Sequence, residues 1–535
     1  MSASLQSLLQ LDHLSHVLPD GSTLFHDLHY AFAPHRIGLL GDNGVGKSVL
    51  VRLIAGGQQP SQGAVRRPGT LHYVPQQLDT ERFPSVADLA GAAPVLAALQ
   101  RIAGGSLDEA DYALVGERWD AGTRLQEALS AIGLGHVSLD TPTASLSGGE
   151  RQRIALQGAW LSQADWLILD EPSNHLDASE RARLVAHLKA WPRGVLLVSH
   201  DRSLLAHVDE IVELSIHGLR SYGGNHDFYA QARAREHAAL ASELQSEKAG
   251  ARRMEREAQQ QAERQQRRVA RGERDGRSGN QSKLLLDARK ESSQDSQGKL
   301  RVRAQAAQQE RQQRVQELAA RCAPDSERLL LTPDSMVPNG KLLLELQDLV
   351  LPHGDATPVN LVISGPRRLA LIGDNGSGKS TLLRVIAGQL AARSGQLRCH
   401  ARLGWLDQHA ALQQGELSAL ERLQQHNRSL DQGQLRTRLA LLGIAGARAT
   451  MASSLLSGGE RMKVALAAQL YADTPPQLLL LDEPDNHLDL ASVQALERML
   501  AQYRGALLVV SHDAAFLQRL ELDTPHFRLN KAAHS

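Results

Sequence analysis

The sequence predicts an α/β protein: two copies of one parallel-sheet domain in tandem, joined by a long α-helical hairpin linker. Three observations carry this. Four motifs occur twice in the same order, short fully apolar runs lead into or out of them, and the stretch between the copies is polar and free of aromatics. Repeated motifs at nearly constant spacing mark a duplicated domain, and strands that alternate with helical stretches imply an α/β sheet in each copy.

The first motif, Gly41-Asp42-Asn43-Gly44-Val45-Gly46-Lys47-Ser48, returns as Gly373-Asp374-Asn375-Gly376-Ser377-Gly378-Lys379-Ser380, an offset of 332. Leu-Ser-Gly-Gly-Glu-Arg at 146–151 returns at 456–461 with an offset of 310, and Leu-Asp-Glu-Pro (169–172, 481–484) and Val-Ser-His-Asp (198–201, 510–513) repeat at 312. Lys47 and Ser147 are 100 residues apart but Lys379 and Ser457 only 78, so the first copy holds about 22 extra residues, placed within 87–126 as a small helical arm. The expected divisions are 1–230 for the first copy, 231–321 for the linker and 322–535 for the second. The runs 36–40 and 368–372 read as strands entering the glycine loops. Residues 166–169 and 477–481, like 194–198 and 505–510, read as strands buried on both faces.

The chain has 535 residues, with 59 Lys+Arg against 59 Asp+Glu. That zero is a cancellation, because residues 231–320 hold 20 basic and 13 acidic side chains and the rest is correspondingly acidic. Aromatics make up only 3% of the chain, which argues against a stacking platform for single-stranded nucleic acid. Two cysteines, Cys322 and Cys399, are too few for a disulfide framework or a zinc site. No apolar run approaches 18 residues and the N-terminus does not read as a signal peptide, so a cytoplasmic protein is expected.

Gly-x-x-x-x-Gly-Lys-Ser is a phosphate-binding loop, whose backbone N–H groups and following helix N-terminus converge on phosphate oxygens. Lys47 and Lys379 would neutralise those oxygens, and Ser48 and Ser380 would place a hydroxyl on Mg²⁺. One such loop could be a glycine turn opening an ordinary helix; two, each after an apolar strand, are not. Asp170 and Asp482 end buried strands, where a carboxylate needs a compensating cation; Mg²⁺, partly through water, is the expected one. Glu171 and Glu483 follow, within reach of a water that attacks the γ-phosphate of ATP. Ser147-Gly148-Gly149 and Ser457-Gly458-Gly459 open helices with outward-facing N–H groups. His200 and His512 end strands inside a repeated Ser-His-Asp.

On these residues the chain resembles the ATP-binding-cassette ATPases, and the fused pair with a basic hairpin and no membrane domain resembles the ABC-F family over essentially its whole length. The resemblance implies head-to-tail cassettes in a monomer and two composite ATP sites. One would join Lys47, Ser48, Asp170, Glu171 and His200 to Ser457, Gly458 and Gly459. The other would join Lys379, Ser380, Asp482, Glu483 and His512 to Ser147, Gly148 and Gly149. Gln76 and Gln408 match the family's glutamine loop, and Asp177 and Asp489 match the loop that couples the sites. Both sites keep every motif residue, so both are expected to hydrolyse ATP. The departure is at the base: where the family stacks adenine on an aromatic, the chain has residues 18–21 and 352–354, with no Phe, Tyr or Trp.

Residues 231–270 hold Gly250 alone among helix breakers, which predicts a helix of about 40 residues and roughly 60 Å. Gly272, Gly276 and Gly279 are expected to break it, with a second helix returning over about 282–312 and Leu284–Leu286 at the tip; a solvated linker is the bland alternative. The resemblance implies ribosome binding by the ATP-closed form, through ribosomal RNA and tRNA, in translation or ribosome protection. Arg264, Arg267, Arg268, Arg271, Arg274, Arg277, Lys283, Arg289 and Lys290 suit that partner, because arginine pairs with phosphate and folded RNA. An ATPase subunit of a membrane transporter and a DNA-associated ATPase are the alternatives; the 90-residue linker argues against the first.

Overall fold

The computed structural model describes residues 8–174, 176–278, 309–318, 336–353, 357–407, 416–486 and 488–529. They divide into two compact units, one made of the chain before 230 and after 325, the other of residues 230–325.

In the first copy the strands are β1 (Leu9–Val17), β2 (Thr23–Phe32), β3 (Arg36–Leu40), β4 (Gln62–Arg66), β5 (Leu71–Val74), β6 (Trp166–Asp170), β7 (Gly194–Val198), β8 (Glu210–Ser215) and β9 (Gly218–Gly223). One sheet has the order β5-β6-β7-β3-β8-β9, parallel except for its β8–β9 edge. The other is the antiparallel trio β2-β1-β4. Every residue of β6 and β7 is buried, which is why their sequences are apolar without alternation. The helix Lys47–Ala55 lays Leu50, Val51, Leu53 and Ile54 into the space between the sheets, against Ile37, Leu39, Trp166 and Leu196.

The second copy repeats the plan with β10 (Leu342–Val350), β11 (Val359–Ser364), β12 (Arg368–Ile372), β13 (Ser394–Cys399), β14 (Leu403–Leu406), β15 (Leu478–Asp482), β16 (Ala506–Val510) and β17 (Phe527–Arg528). Its parallel sheet has the order β14-β15-β16-β12-β17 and its antiparallel sheet β11-β10-β13. Between β5 and the helix Gly148–Leu161 lie helices Val86–Leu89, Ala93–Ala103, Glu109–Val115 and Ala121–Ala131, where the second copy has Ala419–His426 and Gln432–Leu441. Val95, Ala98 and Val115 form a small core of their own there.

The copies meet through a buried ion pair. Arg202 Nη1 lies 2.7 Å from Glu497 Oε1, both side chains almost fully buried, and Arg519 Nη1 donates to the other Glu497 oxygen at 2.9 Å. The pair exists on one side alone, since the positions equivalent by the motif offset are Ala514 and Val185.

A helix runs from His226 to Ser278, 53 residues and about 80 Å, and from Ala230 onward it belongs to the second unit. It does not stop at Gly272 or Gly276 as expected. A glycine in a helix interior costs only about 1 kcal/mol, and arginine and glutamate around these two favour the helix. Residues 309–318 are helical and antiparallel to it, with Arg311 Nε donating to Glu247 at 2.8 Å and Arg314 Nη2 to Glu243 at 3.0 Å. The expected tip, with Leu284–Leu286, Lys283, Arg289 and Lys290, lies outside the described residues, as does Cys322.

Removing one partner of a buried pair leaves an uncompensated charge, which costs about 3–5 kcal/mol, whereas replacing both by apolar groups is often neutral. Glu497→Ala should therefore strand Arg202 and lower the unfolding free energy of the cassette pair, read from denaturant melts, by an amount in that range. Arg202→Met with Glu497→Leu should recover most of it. Equal losses in the single and double variants would show that the pair does not bridge the copies.

Candidate active site

The glycine loops are shaped by backbone that other residues resist. Gly46 and Gly378, capping the two lysine helices, have φ of 101° and 95°, and a Cβ on Gly46 would meet Phe25 at 2.7 Å and Leu24 at 2.8 Å. Inside each loop the lysine folds back onto carbonyls. Lys47 Nζ donates to Gly41 O at 2.6 Å and Asp42 O at 3.1 Å, and Lys379 Nζ to Gly373 O at 2.7 Å and Asp374 O at 3.0 Å. Burial lowers the pKa of both ammonium groups, against nearby carboxylates that raise it. A buried ammonium held by neutral carbonyls is a cation with room for an anion.

The register of the parallel strands brings the carboxylates and histidines together. Asp170 pairs with Val198, two residues before His200, and Asp482 with Val510, two before His512. Each strand then turns sharply: Glu171 and Glu483 have φ of 51° and 48°, and their N–H groups donate to Val198 O at 2.8 Å and Val510 O at 2.9 Å. That turn aims Glu171 Oε1 to 3.8 Å from His200 Nε2, and Glu483 Oε1 to 3.5 Å from His512 Nε2. Ser48 Oγ lies 3.5 Å from Asp170 Oδ1, and Ser380 Oγ 3.1 Å from Asp482 Oδ1. Burial pushes both aspartates up to about 6. Hydroxyl and carboxylate together make an oxygen donor pair that suits Mg²⁺.

The two sites are not alike. Burial raises Glu171 to about 8, with Asp170 adding to it, and lowers His200 to about 3. Neither His200 nitrogen has a hydrogen-bond partner among the described residues. Burial also acts to raise Glu483, but the adjacent His512 imidazole, with Lys379 and Arg181, outweighs it and holds the group below its ordinary value. Asn486 Nδ2 also donates to Glu483.

A cavity of about 400 Å³ stands over the first loop, lined by Lys47, Ser48, Gln76, Asp170, Glu171 and His200, with Leu18 and Leu24 at its wall. The orphaned imidazole, the buried lysine and the Ser48–Asp170 pair fit a triphosphate with its cation. A smaller cavity of about 100 Å³ lies between the copies and takes Glu171 and His200 from one and Asp485 and Asn486 from the other.

The coupling loops do meet the glycine loops. Asn43 N–H donates to Asp489 Oδ2 at 3.0 Å, and Asn375 N–H donates to Asp177. The serine motifs do not join them here: Ser457, Gly458 and Gly459 are not among the residues lining the Lys47 cavity. Ser147 and Ser457 instead cap their own helices in boxes with Glu150 and Glu460, and Gly459 packs against Ser492. Gln408 lies outside the described residues.

Three contributors escaped the motif reading. Arg181 Nη1 donates to Asp201 at 3.0 Å and to the carbonyl of His512 in the other copy at 3.3 Å. Asp485, where the first copy has Ser173, is half-buried, and desolvation pushes it up to about 7, with Ser511 Oγ donating to it at 2.9 Å. Tyr73 OH reaches Asp170 at 3.5 Å. Arg181 and Tyr73 left no sequence signal; Asp485 could have been found by asking where the two copies differ beside a shared motif.

Comparison with known proteins agrees with this geometry. The profile of the family described as ABC transporter matches residues 27–174 and again 356–486. The tylosin resistance ATP-binding protein TlrC of Streptomyces fradiae is 32% identical over 530 residues, which cover 94% of each chain. The energy-dependent translational throttle protein EttA of Mycobacterium tuberculosis is 30% identical over 541 residues, 93% of this chain and 87% of that one. The archaeal ribosome recycling factor aABCE1, solved in complex with the ribosomal stalk protein aP1, superposes with a TM-score of 0.56 at 20% identity, over 97% of this chain and 87% of the other. That last likeness is one of fold.

The unequal glutamates give opposite pH signatures in the nucleotide-free protein. Glu171 is raised from its ordinary 4.5, so its contribution to stability is full below that value and lost as pH rises through about 8. Glu483 is lowered, so its contribution is present above 4.5 and lost as pH falls below it. Thermal melts should show Glu171→Gln raising Tm at pH 8 more than at pH 5, and Glu483→Gln lowering it at pH 8. Shifts of the same sign in both variants at pH 8 would contradict the assignment.

Proposed function

We propose a function for a chain that belongs to the ATP-binding-cassette ATPases, of the ABC-F type: ATP held at two composite sites gates its attachment to the ribosome. The chain is an ATPase, and its cassettes bind ATP. The observation that carries the rest is the reciprocal contact of Asp489 in the second copy with the Asn43 N–H in the first and of Asp177 with the Asn375 N–H, because it puts a residue of each cassette beside the other's phosphate loop.

In this reading Lys47 and the loop N–H groups receive the β- and γ-phosphates, and His200 donates to the γ-phosphate from its unpartnered ring. Glu171 orients the attacking water and takes its proton, at an oxygen 3.8 Å from that ring. Gln76 lines the same cavity and positions the water. Mg²⁺, held by Ser48 and through water by Asp170, would neutralise charge developing on the phosphate oxygens. Ser457, Gly458 and Gly459 complete the site from the other cassette by closing over the nucleotide. Lys379, Ser380, Asp482, Glu483 and His512 act alike in the second site, with Gln408, Ser147, Gly148 and Gly149. Closure excludes water and strengthens every interaction inside the site, so binding and closure are one event.

The partner is read from relatives and charge. EttA is described as a translational throttle and aABCE1 as a ribosome recycling factor. Arg264 and Arg267 stand exposed on the long helix, where they suit ribosomal RNA and tRNA phosphates. No helix among the described residues is long and apolar enough to cross a membrane. A cytoplasmic monomer whose own cassettes pair is the form that fits.

Glu171→Gln with Glu483→Gln should abolish turnover while keeping ATP bound, and the double variant should co-sediment with ribosomes in ATP and not in ADP. Persistent hydrolysis would sink the catalytic assignment. Arg264→Glu with Arg267→Glu in that background should weaken co-sedimentation several-fold and flatten its salt dependence; unchanged pelleting would remove the long helix from the interface. The cavity wall offers aliphatic Leu18 and Leu24 to the base, which do not read a purine edge. GTP should therefore support turnover within about tenfold of ATP, measured as kcat/KM for both.

A further inference from the structure

On β1 and β2, outside the nucleotide loops, a bulge gathers three metal-ligating side chains. Leu11 pairs with Tyr30 and Leu14 with Leu28, so Asp12 and His13 together oppose the single residue His29. His13 takes the left-handed conformation at φ 50°, the mark of an extra residue in one strand. One donor atom from each of Asp12, His13 and His29 lies within 4.8 Å of the other two.

The contacts around the trio keep donor atoms available. His13 Nδ1 is held by Asp27 Oδ1 at 2.6 Å, an arrangement that in the neutral ring puts the proton on Nδ1 and keeps the Nε2 lone pair for a ligand. The Arg66 guanidinium takes Asp12 Oδ2 at 3.0 Å and leaves Oδ1, which lies 3.9 Å from His29 Nδ1. The two imidazole rings stand 5.4 Å apart by their centroids. Both imidazoles are largely exposed, with room to rotate inward. Bonds of about 2.0–2.2 Å in a tetrahedral site separate donor atoms by about 3.4 Å, a short closure from what is seen. Two aspartates against one arginine give the patch a net negative charge when the histidines are neutral.

The duplicated cassette supplies its own control. In the second copy Leu346 pairs with Leu361 and Leu349 with Val359, so Gln347 and Asp348 oppose Asn360 across the same bulge, with Asp348 at φ 45°. There the side chains satisfy the backbone and each other: Asp348 N–H donates to Asn360 Oδ1 at 2.8 Å, and Asn360 Nδ2 to Asp348 Oδ1 at 3.0 Å. The bulge therefore needs no imidazole. The first copy replaces a self-satisfied Asp–Asn pair with two imidazoles and a carboxylate, a mixed N/O set that suits Zn²⁺, Ni²⁺ or Cu²⁺ rather than Mg²⁺.

We propose that Asp12, His13 and His29 bind a divalent transition-metal cation of the Zn²⁺ class, with water completing the coordination and Asp27 orienting His13. The test uses the full chain, stripped with chelator and without nucleotide, titrated calorimetrically with Zn²⁺ in millimolar Mg²⁺. Wild type should bind one more equivalent, at micromolar Kd, than His13→Ala/His29→Ala or the milder His29→Asn, which installs the residue the second copy carries. Asp27→Asn should weaken that equivalent about tenfold, and ATPase rates in Mg²⁺ should be unchanged in all variants. Identical stoichiometry and affinity in wild type and His29→Asn would overturn the proposal and leave surface ion pairs only. Displacement of the Zn²⁺ by millimolar Mg²⁺ would overturn it equally.

Discussion

Much of this molecule hangs on one backbone hydrogen bond made twice. At the end of β6 the chain leaves a fully buried strand and places Glu171 in left-handed conformation, a posture that costs roughly 1–2 kcal/mol for a residue with a side chain. The Glu171 N–H to Val198 carbonyl bond, and its twin from Glu483 to Val510, hold that turn shut. Because the carbonyl belongs to the strand that carries the histidine, the same bond fixes glutamate, histidine and aspartate as one group. The buried parallel sheet supplies the rigidity, and the turn converts it into a constellation of charges at the strand ends. Residues in sparsely populated conformations persist where surrounding structure over-determines them, and they cluster at functional sites.

Duplication has given two such constellations, and burial has made them unequal. Around Glu171 desolvation dominates, while around Glu483 the histidine, lysine and arginine outweigh it. Differences between the copies run along the seam: Asp485 opposite Ser173, and Arg202–Glu497 with no counterpart. The first adds a carboxylate to one copy alone, and the second sets a cation of one copy against a carboxylate of the other. Cassettes whose four repeated motifs differ only at Val45 and Ser377 thus arrive at two electrostatic environments without altering one charged motif residue.

What was legible in the sequence was whatever has a local cause. The glycine loops need left-handed or crowded backbone, the strands need two-sided burial, and the serine motifs need a helix N-cap; each leaves a residue-type signature within about eight positions. The pairing of Asp489 with Asn43 joins residues 446 positions apart, and only the family resemblance pointed to it. Arg181 was invisible for the same reason. The serine motifs were read as helix starts with N–H groups facing outward, yet in this structure the serine hydroxyls close capping boxes, a choice set by Glu150 and Glu460 three residues on. The long helix was underestimated because three glycines were weighed as breakers, when the helix bridges Gly272 and Gly276.

Arg181 belongs to the first copy but reaches both. A single guanidinium nitrogen holds both Asp201, beside His200, and the backbone of His512, so the strand ends of the two cassettes share one ligand. Whatever displaces one strand end must either carry the other with it or surrender that contact. A displacement at one strand end is therefore felt at the other for as long as the contact lasts. Two copies folded around separate sheets thus share one joint, and it is a single side chain.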